Sequence, residues 1–288
     1  MTTIITALLL ASLAALLSTA ALGLGAMLLG AARVPLAAIS DGSVSGPGYR
    51  LRPPLVAGVA IAFGLMALSV VLRTIVVGHA PWSNLHEFSM AFGAVLLGTY
   101  LVLARSHPIA GLAPLVALLA AGLVAFAVSL DDRVDPLVPA LQQPLLLTIH
   151  VGSAVLAYAV AGVAFVAAAA EIGQRSTRDR IGGLPSAATA RAVGHRAVLI
   201  AFPILTIAIA LGSVWANLAW RSYWSNDPKE LAAAATWLVF GAYLHVAGRR
   251  DRWERLAPWL IVLGFAGVLF TYIGAGLFFI GEHSYAAP

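Results

Sequence analysis

Three of the seven tryptophans fall within ten residues, in the run Trp215-Ala-Asn-Leu-Ala-Trp220-Arg221-Ser222-Tyr223-Trp224, and Asp227-Pro228-Lys229-Glu230 follows closely. A lone Trp near a membrane needs only the headgroup interface to explain it, but three together also make a broad aromatic surface for a large, flat, apolar ligand. Trp220 and Trp224 are four apart, so a helix would put them on one face, with Trp215 turned away. Far off in the chain, His150 and His283 lie at the ends of apolar runs. Imidazole titrates near pH 6.5 and is neutral and available for ligation at physiological pH. Other chemistries are excluded. The chain has no cysteine, which removes disulfides, thiolate metal sites, iron–sulfur clusters and covalently attached haem. Nothing resembles a triad, a P-loop or a carboxylate pair.

The elements that must position these residues are membrane helices. Of 288 residues 61% are hydrophobic and 10% charged, against ~25% charged in soluble domains. Apolar runs bounded by charges and turn residues predict spans near 4–32, 55–77, 87–104, 109–129, 145–170, 197–214, 231–247 and 257–280, each close to the ~20 residues that cross a bilayer. The fold class is an all-α, polytopic integral membrane bundle of about eight transmembrane helices. Arg33, Arg50, Arg52, Arg105, Arg175, Arg178, Arg180, Arg191, Arg196, Arg249, Arg250, Arg252 and Arg255 all fall in alternate loops, and the opposite loops hold only Arg133, Arg221 and Lys229. By the positive-inside rule the arginine-rich loops are cytoplasmic and both termini extracytoplasmic. The basic excess follows sidedness and does not imply nucleic acid. The polar insert 171–196 reads as a solvated connector on the cytoplasmic side.

This topology brings the tryptophan run, His150 and His283 to the outer face at about one depth. Two imidazoles there match the axial ligation of haem iron, and the haem propionates need cations, for which Arg221, Lys229 and Arg73 are near. Arg73 also reads as a side chain snorkelling to the headgroups. Asp227, Pro228 and Glu230 fit a reciprocal N-cap for the seventh span, and Asn84 with Glu87 a capping box for the third. His245 sits in the last turn of the seventh span, near the cytoplasm, where a polar helix end also accounts for it. His79, His86, His107 and His195 read as interfacial or solvated.

The run Gly212-Ser-Val-Trp215-Ala-Asn217-Leu-Ala-Trp220-Arg-Ser222-Tyr223-Trp224-Ser-Asn-Asp227-Pro228-Lys229-Glu230, with Thr236-Trp237 and Tyr243-Leu244-His245, resembles the tryptophan-rich WWD signature of system II cytochrome c biogenesis proteins of the CcsA/ResC type. Ile149-His150-Val151, Ala157-Tyr158-Ala159 and Gly281-Glu282-His283-Ser284-Tyr285 support it, as does Asn84-Leu85-His86-Glu87-Phe88-Ser89 in the first half. The resemblance covers roughly 145–288. It divides the chain into N-terminal helices, 1–144, and a haem-handling domain, 145–288, with the WWD loop at 212–230.

The resemblance implies that His150 and His283 are axial ligands of haem b held against Trp215, Trp220, Trp224, Asp227, Arg221 and Lys229, and that His245 belongs to an inner haem site. It implies a multi-pass cell-membrane protein that presents haem to the Cys-x-x-Cys-His of apocytochrome c. A separate ResB/CcsB-type partner would complete a cytochrome c synthase (haem lyase) complex with it. Two positions depart from the pattern: Asn226 replaces a further Trp, and Arg221 replaces Gly. Rival readings are a system I subunit that delivers haem to a chaperone, and a transporter of another amphipathic solute.

Overall fold

The computed structural model describes residues 1–31, 52–134, 137, 141, 144–249 and 253–283. Arg33, Arg50, Arg250, Arg252, Ser284, Tyr285 and the side chain of Arg52 lie outside the described residues. The described chain is helical: α1 (Thr2–Ala31), α2 (Arg52–Val77), α3 (Leu85–Ser106), α4 (Ala113–Ser129), α5 (Pro144–Thr177), α6 (Ala187–Trp220), α7 (Pro228–Val246) and α8 (Trp253–Leu269). A single 3₁₀ turn, Ala110–Leu112, leads into α4, and α8 continues through a π-helical turn, Phe270–Gly274, to a last turn at Ala275–Phe278. Seven of these helices, all but α7, are long and apolar enough to cross a membrane. Eight helices match the eight apolar runs.

Small residues let the helices approach closely, and the buried core runs unbroken from Ile5 on α1 through Phe92, Leu96 and Val163 to Phe265 and Tyr272 on α8. That core crosses the 144/145 boundary. Outward-facing residues such as Leu10, Ile61, Ile75, Leu199, Ile207 and Leu263 are apolar and exposed, the pattern of helices solvated by lipid.

The largest departure from the sequence reading concerns α5 and α6. Each has 34 residues, about 51 Å at 1.5 Å per residue, against a hydrocarbon layer of ~30 Å. The insert 171–196 is therefore mostly helix, and only about 178–186 is connector. The charged turns stay helical because their polar groups find partners. Glu171 binds Arg175 at 2.7 Å and Arg191 at 3.4 Å, and Arg191 reaches Glu254 of α8 at 2.9 Å. Gln174 holds the connector through Ile181 and Pro185, and Ser186 caps α6. His195 accordingly sits within α6, against the Tyr243 ring at 5.9 Å, and not in a loop.

Arg73 does not snorkel. It is 1% exposed and pairs with Glu87, also 1% exposed, at 2.9 Å, while its terminal nitrogens donate to the Asp132 and Arg133 carbonyls at 2.7 and 3.0 Å. A buried guanidinium is tolerated only with its donors satisfied, and this clamp ties α2 to the start of α3 and to the segment after α4. Asn84 caps α3 as expected, but the reciprocal half of the capping box is not made. Asn84 accepts from the Glu87 N–H at 2.9 Å, but the Glu87 carboxylate turns to Ser83 and Arg73. His86 is buried, not interfacial, with Nδ1 2.8 Å from the Ala127 carbonyl.

Candidate functional site

At the tryptophan end of the bundle a cleft opens between α3, α5, α6, α7 and the end of α8. It holds about 1190 Å³ of empty space, open solvent included. His150 and His283 both line it.

His150 lies in the second turn of α5. Its Nδ1 donates to the Ala208 carbonyl of α6 at 2.9 Å, which leaves the ring's basic lone pair on Nε2. A Cβ on Gly212, one turn further along α6, would lie 2.6 Å from His150 Cε1, so the imidazole takes the space that a side chain at 212 would fill. His283 follows the last turn of α8. Its Nδ1 donates to Asp227 Oδ1 at 2.8 Å, and its backbone N–H reaches Oδ2 at 3.3 Å. This is the carboxylate–imidazole pairing that orients metal-ligating histidines and raises their basicity.

Asp227 therefore works twice. The same carboxylate accepts from the Lys229 N–H at 2.8 Å, while Glu230 returns to the Asp227 N–H at 3.1 Å, and Pro228 occupies the first turn. The reciprocal cap expected for the seventh span is present. Burial would raise the Asp227 pKa, but the hydrogen bond and charge of His283 and the backbone donors outweigh it and hold the group down at about 2. Gly281 makes the geometry possible, since a Cβ there would come within 2.3 Å of Asp227 Oδ2.

The tryptophans do not form one flat platform. α6 continues to Trp220, so Trp215 and Trp220 are helical and only residues near 221–227 are loop. Trp215 is fully buried beside Leu141 and Leu147. Its ring lies 6.0 Å from His150, nearly parallel, and 5.8 Å from His283. Trp220 stands edge-on to Trp215 at 4.7 Å and to His283 at 4.8 Å. Trp224, 43% exposed, lines the open side and donates Nε1–H to Asn226 at 2.9 Å. Because α6 ends before Trp224, Trp220 and Trp224 do not share a helix face. Two indoles brace the imidazoles from behind and the third flanks the mouth.

The cytochrome c assembly protein family model matches residues 82–283, which includes every helix that builds the cleft. The chain belongs to this family. It is 34% identical to the protein named cytochrome c biogenesis protein CcsA from Parasynechococcus marenigrum, with 92% of this chain and 95% of the relative aligned. It is also 34% identical to that of Synechococcus elongatus, over 80% and 86%. Among solved structures, one titled cytochrome c heme lyase CcmF superposes with a TM-score of 0.65 at 21% identity, over 93% of this chain and 46% of that one. It shares the fold. The family match starts at Trp82, well before 145, and the structure gives the reason: Trp82, Asn84, Leu85 and Phe88 line the cleft.

Within this CcsA-type chain the remaining candidates separate. Lys229 lines the cleft, half-buried. Arg221 is exposed, outside the cleft lining, and ends α6 at φ 61°, a left-handed position where glycine carries no Cβ penalty. Asn226 also has φ 61°, and Asn tolerates that region better than other non-glycine residues. Both departures from the family pattern thus sit at backbone positions that favour Gly or Asn. His245 is exposed in the last turn of α7, at the opposite end from the cleft. Sequence reasoning missed the roles of Ala208, Gly212 and Gly281. Small residues every fourth position, Ala208, Gly212 and Ala216, were the available signal.

Proposed function

We propose that this cytochrome c assembly protein holds haem b in the cleft, with His150 and His283 as axial ligands through Nε2, and presents it on the extracytoplasmic side to the Cys-x-x-Cys-His of apocytochrome c. The observation that carries this reading is the matched pair of imidazoles: they come from opposite ends of the second half of the chain, line one cleft, and each commits Nδ1–H to a protein acceptor. Imidazole fixed in that tautomer is what ligation by Nε2 requires. An apolar wall of Leu147, Val151, Ile209 and Ala216 suits a porphyrin face, and Lys229 supplies a cation for a propionate.

The bound haem contributes its vinyl groups, across which the two cysteine thiols add to form thioethers. This chain's own residues orient and exclude water. Trp215 and Trp220 fix the ring planes, Asp227 holds His283, and Trp224 guards the open side. The rate advantage lies in positioning, not in a side-chain nucleophile. A separate ResB/CcsB-type membrane protein would complete the synthase, and His245, exposed at the arginine end, would meet haem at an inner site shared with it. The arginine-rich end is assigned to the cytoplasm and the cleft to the outside by the positive-inside rule.

The test is the visible spectrum of the chain purified with its membrane partner. His150→Gly and His283→Gly should each abolish or reshape the haem bands, with added imidazole restoring them. An unchanged spectrum in both variants overturns the ligand assignment. Sidedness is tested in the naturally cysteine-free chain. Ser225→Cys should react with a membrane-impermeant thiol reagent added outside intact cells, and protection there would reverse the orientation.

A further inference from the structure

We infer that Gly212 is a positioning residue for the His150 ligand, chosen to admit an imidazole and not to let two helices approach. The inference rests on the haem-ligand reading above and deepens it.

Ala208 and Gly212 are one turn apart and so share a face of α6. The first holds the His150 ring by its carbonyl at 2.9 Å. The second carries the ring on its Cα: an added Cβ would lie 2.6 Å from Cε1, 3.2 Å from Nδ1 and 3.3 Å from Nε2, all three nearest atoms belonging to that one imidazole. The ordinary explanation of a glycine in a membrane helix is close helix packing; an added Cβ on Gly194 of the same helix would face such neighbours, in ordinary contact with Ile261 Cδ1 at 3.5 Å, Ala167 Cβ at 3.6 Å and the Ala164 carbonyl at 3.7 Å. Gly212 has no such neighbours among its nearest atoms. Nor is left-handed backbone the reason, because Gly212 lies inside regular helix. A glycine in a helix interior is otherwise a cost relative to alanine. At 212 that cost coincides with the space of one aromatic ring.

A methyl group at 212 would push the ring away from the Ala208 carbonyl. The tautomer would lose its anchor, and Nε2 its aim into the cleft. Trp215, nearly parallel to the imidazole at 6.0 Å between ring centroids, limits where the ring can go.

The experiment uses the chain with its membrane partner and two readouts. In the wild-type background, Gly212→Ala should give the visible spectrum of His150→Gly. In the His150→Gly background the ring is gone, so Gly212→Ala should no longer harm the fold and should raise the thermal midpoint, whereas in the presence of His150 it should not. Added imidazole should restore the bands of His150→Gly, and the double variant should need about tenfold more of it, because the methyl occupies the vacated space. Equal imidazole rescue with and without the methyl, or the same shift in thermal midpoint in both backgrounds, overturns the role of Gly212. That result would leave the ligand assignment intact. A His150→Gly spectrum indistinguishable from wild type would sink the assignment itself, and the thermal comparison would still report on the socket.

Discussion

The two imidazoles are seated in different ways. His150 sits between two long helices, held by a neutral carbonyl and by a glycine one turn from it. His283 sits where the chain leaves α8, held by a carboxylate that also starts α7. The first socket is fixed by helix packing, since α5 and α6 are locked together for most of their length. The second is fixed by electrostatics and by one capped helix start. One side is therefore sensitive to volume and the other to charge, and substitutions can separate them.

The largest effect is expected at Asp227. Asp227→Ala removes the cap of α7 and the acceptor of His283 together, and should lower stability by about 2–4 kcal/mol, combining a cap and a charge-assisted hydrogen bond. Thermal unfolding in detergent measures it. The haem spectrum should change as it does in His283→Gly, while imidazole rescue of the His150→Gly cavity should be unaffected. If the His150 side also fails, the two sockets are not independent.

Acid should act on the same side. The Asp227 pKa is held below its ordinary value, at about 2, so the ionised form is favoured by folding. Its contribution is complete above pH ~4 and disappears as the pH falls towards 2. The stability difference between the wild type and Asp227→Asn should narrow over that window, and a difference constant from pH 6 to 2 would contradict the depressed value.

Gly281→Ala should be milder. Its methyl would press on Asp227 Oδ2, which His283 and the Lys229 N–H hold in place, and would lie 2.8 Å from Pro228 Cδ, so a loss of about 1–3 kcal/mol is expected, the range for overpacking. The His283-dependent part of the spectrum should weaken but persist.

The smallest effect is a gain. Arg221→Gly relieves a left-handed backbone and should raise stability by about 1 kcal/mol without changing haem loading. A drop in loading would return Arg221 to the propionate.

Much of this was legible in the amino-acid order. Eight apolar runs became eight helices because a membrane helix announces itself by length and hydropathy. Asp227, Pro228 and Glu230 announced their cap because capping is a local matter. What could not be read were partners distant along the chain. Arg73 looks like any interfacial arginine until Glu87 and the carbonyls at 132 and 133 are seen around it, and His86 like any loop histidine until Ala127 is beside it. The ends of α5 and α6 were misplaced because their charged turns remain helical through ion pairs with α8, which no local pattern reveals. Trp215 appeared to belong to a surface. It is buried because α6 continues five residues past it.

The length of α6 has a mechanical consequence. From Arg191, bound to Glu171 and Glu254, to Gly212, beside the imidazole, it is one continuous helix with Pro203 midway, where the proline supplies no N–H to the helical ladder. A displacement of the arginine end would therefore be absorbed as a bend at that proline, which shields the seat under His150 from movements at the other end of the same helix.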